Sequence, residues 1–254
     1  MMLGARTGAW SGGAKWTNPY VTDGQFIYWD AEWNAGGGIH DEQKRLVNLL
    51  SRDHELALPS SATLQSKCVL FGSYGAYSNR PAGEYLKFAT GWSICSTIDL
   101  SQTQEKFKGG PIFGIGDQNI LEQPMRDDYL CKFWTYSGFQ GIGTSGYGYV
   151  FVKTAYDGTH NYCMTCDIQN ETTKVYVDGK YFGSIDKAGI VGDQYIHYGR
   201  CGYGMMCSGG YQRDDPSSLS IGVKVYNEMF YTRPLTTAEV SANYAVDKAR
   251  FNLP

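Results

Sequence analysis

Two carboxylates flanked by tryptophans, in Trp29-Asp30-Ala31-Glu32-Trp33, are the nearest approach in this sequence to an acid–nucleophile pair. Hydrolysis of a glycosidic bond needs two carboxyl groups roughly 5–10 Å apart across the bond. In an extended chain Asp30 and Glu32 share a face, and the tryptophans offer planes on which sugar rings stack. The competing reading needs no chemistry: Asp30 anchors a turn after a strand. That second role is the expected one.

Metal ligation has two candidate sets. Calcium takes about six to eight hard oxygens from carboxylates and carbonyls. Asp127-Asp128 and Asp214-Asp215 are paired acids in predicted loops, while Asp30 and Asp41 lie near the start. Ca2+ is therefore the candidate cofactor, with Asp30, Asp127, Asp128 and Asp215 as candidate ligands; hydrated turn-capping acids are the alternative. Cys163-Met164-Thr165-Cys166 with Cys201 and Cys207 imitates a four-thiolate zinc set. Its second pair is six residues apart rather than a tight knuckle, so four ordinary thiols are expected. The seven cysteines are an odd number in a large chain, which argues against a complete disulfide framework. The four histidines stand at no metal-ligand spacing, and no GxSxG or phosphate-loop motif occurs. Gly141-Ile142-Gly143-Thr144-Ser145-Gly146 reads as a hairpin loop.

Sugar recognition needs an aromatic platform and a few polar groups that fix hydroxyls. Residues 199–215 form the most unusual stretch, a long Gly-rich loop containing Tyr203, Tyr211, Arg213 and Asp214. Loops of that length are often functional. Trp134 and Tyr136, then Tyr147 and Tyr149, alternate on neighbouring strand candidates and are expected to build an aromatic face. Core filling or a subunit interface is the competing use of the same rings.

These residues must be positioned by strands. Phe26-Ile27-Tyr28-Trp29, residues 92–98, 111–116 and 147–152 are aromatic and β-branched or alternate in period two. In residues 174–183 Asp178-Gly179 separates two such runs, a strong two-residue hairpin signal. Ile221, Val223 and Val225 alternate with Gly222, Lys224 and Tyr226. One helix is well specified. Thr236 as N-cap and Glu239 complete a capping box, Leu235 and Val240 a hydrophobic staple, and the pattern runs to about Arg250. A shorter helical turn is expected from Asp41 through Val47. Residues 1–22, with Trp10 and Trp16, lack any sustained period and read as an extended attachment arm; 23–254 read as one domain.

Composition agrees. Glycine supplies 32 of 254 residues, aromatic residues 15% and charged residues only 19%, which favours β-structure with tight turns. A net charge of −3 lacks the basic stripe of a nucleic-acid binder. No apolar run reaches the ~18 residues of a membrane helix. The first residues carry no signal-peptide h-region, so general secretion is not the expected route.

The segment His160-Asn161-Tyr162-Cys163-Met164-Thr165-Cys166-Asp167, followed by Lys174-Val175-Tyr176-Val177-Asp178-Gly179-Lys180, resembles a laminin G-like, concanavalin A-like jelly roll. Val223-Lys224-Val225-Tyr226-Asn227-Glu228 and Arg233 through Tyr244 resemble its closing strand and short helix. Tyr28-Trp29-Asp30, Asn34-Ala35-Gly36 and His40-Asp41 resemble the opening of such domains in phages and gut bacteria. The resemblance covers about residues 23–251, and the lead before it is similar to the N-termini of phage virion proteins.

The resemblance implies an all-β antiparallel sandwich with one short C-terminal helix and a role in recognition. Members are mostly adhesion or carbohydrate-binding modules, some with calcium at a loop rim, and phages carry them on capsids, fibres and tails. The family's hydrolases use a longer alternating acidic signature, which is absent here, so no enzyme is expected. The expected protein is a phage virion surface protein that decorates the particle or adheres to host or mucosal glycans. It would join other virion proteins through its arm, as a homo-oligomer such as a trimer. The alternatives are a bacterial surface or secreted carbohydrate-binding module and, behind it, a glycoside hydrolase.

Overall fold

The computed structural model describes residues 17–36, 45–51, 56–58, 62–70, 77–78, 85–86, 90–99, 101, 110–116, 129–136, 139–144, 148–152, 158–186, 196–197 and 224–254; its four-stranded sheet is described by the backbone. In chain order the first elements are β1 (Gln25–Asp30), α1 (Ala31–Gly36), β2 (Arg45–Leu46), β3 (Leu56–Ala57), β4 (Thr63–Leu64), β5 (Val69–Leu70), β6 (Tyr77–Ser78), β7 (Tyr85–Leu86) and β8 (Gly91–Asp99). They are followed by β9 (Gly110–Gly116), β10 (Tyr129–Tyr136), β11 (Phe139–Thr144), β12 (Gly148–Val152), β13 (Thr159–Asp167), β14 (Thr172–Val177) and β15 (Lys180–Asp186). The last are β16 (Ile196–His197), β17 (Lys224–Tyr231) and α2 (Thr237–Phe251).

The principal sheet has eight strands in the order β15-β14-β13-β8-β17-β5-β4, with β1 also paired to β17. A four-stranded sheet runs β12-β11-β10-β9, and β16-β7 and β2-β3-β6 form small sheets. All pairings are antiparallel. The fold is an antiparallel β-sandwich with a C-terminal helix, as the sequence implies.

Strand β8 shows why the eight-stranded sheet is two-sided. All nine of its residues are buried. Trp92, Ile94, Ser96 and Ile98 line one face, and Ser93, Cys95 and Thr97 the other, because successive side chains alternate. Trp29, Trp92, Ile94, Tyr162, Met164, Val175 and Phe230 fill the first face at 0–1% exposure. Each such side chain contributes about 1.5–3 kcal/mol when fully buried. The second face lies under α2, where Tyr28, Cys95, Cys163, Tyr176, Met229 and Tyr231 pack with Leu235 and Val240.

The expected signals at α2 all appear. The Glu239 amide donates to Thr236 Oγ1 at 3.2 Å, and the Thr236 amide donates to Glu239 Oε2 at 2.8 Å. Leu235 and Val240 share one buried cluster, as a staple does. Asn252 closes the helix in the left-handed region at φ 57°. The β14–β15 turn has both central residues at positive φ, Asp178 at 49° and Gly179 at 71°. No helix among the described residues is long and apolar enough to cross a membrane.

Three expectations are corrected. Gly141 through Thr144 belong to strand β11, paired with both β10 and β12, rather than to a hairpin loop. The turn expected at Asp30 is present: its carboxylate receives the Trp33 amide at 3.1 Å and caps α1 directly after β1. Arg45 and Leu46 pair with β3 as strand β2 instead of ending a helical turn. The arm boundary at residue 22 falls inside the packed body. Tyr20 is buried, and the Val21 amide donates to Asn243 Oδ1 of α2 at 2.9 Å.

Candidate functional site

Asp30 and Glu32 do come together, but on a cation. Arg250 of α2 donates to both Asp30 oxygens, at 2.7 and 3.0 Å, and to Glu32 Oε2 at 2.8 Å. The Tyr28 hydroxyl also donates to Asp30. The Asp30 side chain is wholly buried, while Glu32 is about one-third exposed and lies 3.9 Å from Lys67. Burial opposes the Arg250 charge, and its bonds to Asp30 outweigh that, holding its pKa above the ordinary value. Two carboxylates bridged by one guanidinium, with Lys67 near the more exposed Glu32, make a structural clamp. Asp30 therefore leaves the calcium candidates, since its oxygens face Arg250 and not an open rim.

Next to this clamp, Asp247 projects from α2 onto the sheet with no exposure at all. Oδ1 accepts the Tyr20 hydroxyl and Asn227 Nδ2 (2.7 Å), and Oδ2 accepts Thr97 Oγ1 (2.7 Å) and Asn161 Nδ2 (2.9 Å). Desolvation pushes its pKa up to about 6, against the donors that lower it. Thr97, Asn161 and Asn227 come from β8, β13 and β17. The helix is thus docked by a satisfied polar network as well as by its apolar positions.

The thiols do not form the zinc candidate. Cys163 and Cys166 are three apart in β13, so they point to opposite faces. Cys163 is disulfide-bonded to Cys95, its direct partner on β8, while Cys166 is buried on the opposite face. Among the described residues no three His, Cys, Asp or Glu side chains are grouped to hold a metal. Cys201 and Cys207, and with them Tyr203, Tyr211, Arg213, Asp214, Asp215, Asp127, Asp128, Trp10 and Trp16, lie outside the described residues.

Trp134 and Tyr136 fall on β10, where the backbone register defines their neighbours. Trp134 pairs with Gly141 and Tyr136 with Phe139 on β11; Gly141 pairs with Phe151 and Gly143 with Tyr149 on β12. By alternation, Lys132, Trp134, Tyr136, Phe139, Tyr149 and Phe151 share one face of this sheet. Phe133, Thr135, Gln140, Ile142, Thr144, Val150 and Val152 share the other. Strand β11 intervenes between the two aromatic pairs that the sequence placed on neighbouring strands, and the glycines at 141 and 143 are its positions between them. Tyr147 lies outside the described residues.

Sequence reading missed three features. Glu228 is buried in the sandwich interior, its pKa raised well above the carboxylate range by desolvation, and its Oε2 has no hydrogen-bond partner. His160 Nδ1 meets Asp178 Oδ2 at 2.8 Å beneath the β14–β15 turn. On β15, Tyr181 and Phe182 are 55% and 44% exposed. Two adjacent aromatics in an alternating strand were the available signal for the last, because one of them breaks the period.

No protein-family model matches the chain, and no curated protein sequence matches it. Solved structures do match in fold. The ligand-binding domain of botulinum neurotoxin serotype D, in complex with N-acetylneuraminic acid, superposes with a TM-score of 0.64 at 12% identity, over 90% of this chain and 52% of that one. Trypanosoma rangeli sialidase in complex with sialic acid gives 0.62 at 14% identity, over 91% of this chain and 34% of that one. The chain thus spans about half of the first and a third of the second. At these identities the likeness is one of architecture: this chain has the β-sandwich fold that those proteins also contain.

Proposed function

We propose that this protein is a glycan-recognition module without catalytic activity, displayed on a particle or cell surface. The observation that carries the reading is the register-aligned aromatic face of β10–β12. Trp134, Tyr136 and Tyr149 fall on one face, with glycine opposite both Trp134 and Tyr149. A flat aromatic ring is what a pyranose stacks on. Two fold neighbours were solved with sialic acid or N-acetylneuraminic acid bound, which supports an acidic sugar as ligand class. The occupation of Asp30 and Glu32 by Arg250 supports a non-catalytic role.

Display on a phage virion is the favoured setting, supported by the resemblance of the body and its Gly-rich lead to virion proteins. Attachment would run through the residues before Thr17, in a homo-oligomer. The Cys95–Cys163 disulfide favours the second reading, a bacterial surface or secreted carbohydrate-binding module, because disulfides persist in oxidising compartments.

A glycan array probed with the full chain tests the recognition step. Binding to sialylated glycans is expected, with loss of about tenfold or more in Trp134→Ala/Tyr149→Ala. A blank array for the wild type, or release of free sialic acid from the same glycans, counts against the reading. Immunogold labelling of purified particles against cell envelopes decides the setting.

A further inference from the structure

We propose that Tyr181 and Phe182, on edge strand β15, form a second stacking site for a pyranose ring, on a different sheet from the β10–β12 face. Its ligand class rests on the glycan-binding reading above; its geometry does not.

Strand β15 ends the eight-stranded sheet. Its register with β14 shifts between Val175 and Tyr176. Tyr176 pairs with Tyr181, and Val175 with Gly183, so Phe182 is the extra residue of a β-bulge. Regular alternation from Tyr181 would send Phe182 to the opposite, interior face. The bulge instead puts two consecutive aromatic residues on one side, at 55% and 44% exposure. Among the described residues no other large hydrophobic side chain is comparably exposed.

The pair is also backed. Tyr176 is 1% exposed and meets the Tyr181 ring edge-on, with centroids 6.0 Å apart and planes at 75°. The Tyr176 hydroxyl is 3.0 Å from Thr237 Oγ1 at the start of α2. Tyr181 thus leans on a ring that is itself fixed, which lowers the entropy lost when a ligand stacks. On the same side, Lys174 pairs with Ser184, both exposed. Lys174 is two residues from Tyr176, about 7 Å along the strand, close to the span of a hexose. An ammonium and a hydroxyl at that distance suit sugar hydroxyls or a carboxylate.

The size of the patch selects its occupant. Two half-exposed aromatic side chains offer about 200 Å2, a quarter of the ~800 Å2 per partner of a standard protein interface. The bulge also interrupts the edge ladder, which disfavours addition of a strand from a peptide or a second copy. A single sugar ring fits both facts.

Aromatic 1H–13C NMR of the full chain, titrated with millimolar methyl β-galactopyranoside, methyl α-glucopyranoside and methyl α-N-acetylneuraminate, reads the site directly. Saturable shifts of both the Tyr181 and Phe182 rings are expected with at least one probe. Those shifts should persist in Trp134→Ala/Tyr149→Ala, so failure of the other face leaves this site readable. Affinity should fall about tenfold or more in Tyr181→Ser/Phe182→Ser, with cooperative thermal unfolding retained. Rings unmoved by every probe overturn the site. So does a dimer in sedimentation that the double substitution dissociates, since the patch would then belong to a second copy.

Discussion

Arg250, in the last turn of α2, grips both carboxylate oxygens of Asp30 at the end of β1, across 220 residues of chain. The same guanidinium donates to the hydroxyls of Tyr20 (2.7 Å) and Tyr28 (3.1 Å). One side chain therefore fastens the first strand, the segment that leads into it, and the closing helix.

Replacing Arg250 should be costly. In Arg250→Met the buried Asp30 loses its counter-charge, a change worth about 3–5 kcal/mol. Thermal denaturation should show a loss of about 10 °C for a domain of this size. Adding Asp30→Asn to the same chain should recover part of it. Equal melting of wild type and Arg250→Met would remove the clamp from the account of stability.

Asp247 makes a prediction about pH. Its folded pKa is about 6 against an ordinary 3.8, so the folded chain keeps a proton that the unfolded chain releases. The stability this gives is present below about pH 4 and is lost as pH rises toward 6 and beyond. The stability difference between wild type and Asp247→Asn should therefore shrink by about 2 kcal/mol from pH 4 to pH 7. Urea titrations at both pH values measure it. A difference that grows over that range would reverse the sign assigned to Asp247.

Gly179 is fixed by two demands at once. It sits at φ +71°, and a Cβ there would stand 2.7 Å from Tyr244 Cδ1 and 2.8 Å from Tyr244 Cβ. Gly179→Ala should cost about 2–3 kcal/mol, from left-handed strain plus displacement of α2. Tyr244→Ala in the same chain should relieve the contact and leave only the backbone part. A neutral Gly179→Ala would show that the hairpin does not bear on the helix as described.

What the sequence alone determined was local. Asp178-Gly179 dictated a hairpin because both turn positions need positive φ. Thr236 and Glu239 dictated where α2 begins because each satisfies the other's amide, and the alternation in 92–98 dictated a buried strand. Each of those signals is complete within a few residues. The tertiary structure decided what those elements bring together. Asp30 and Glu32 look like a catalytic pair until an arginine 220 residues away reaches them. Cys163 looks like half of a CxxC until the register sets it against Cys95. Asn243 and Asp247 look like a polar helix face until three strands supply donors to it. Tyr181 and Phe182 share a side only because a bulge opposite Tyr176 shifts the register. Counter-charges, disulfides and exposed faces depend on which strands become neighbours, and that pairing is set by burial over the whole sheet, where no short window of sequence can express it.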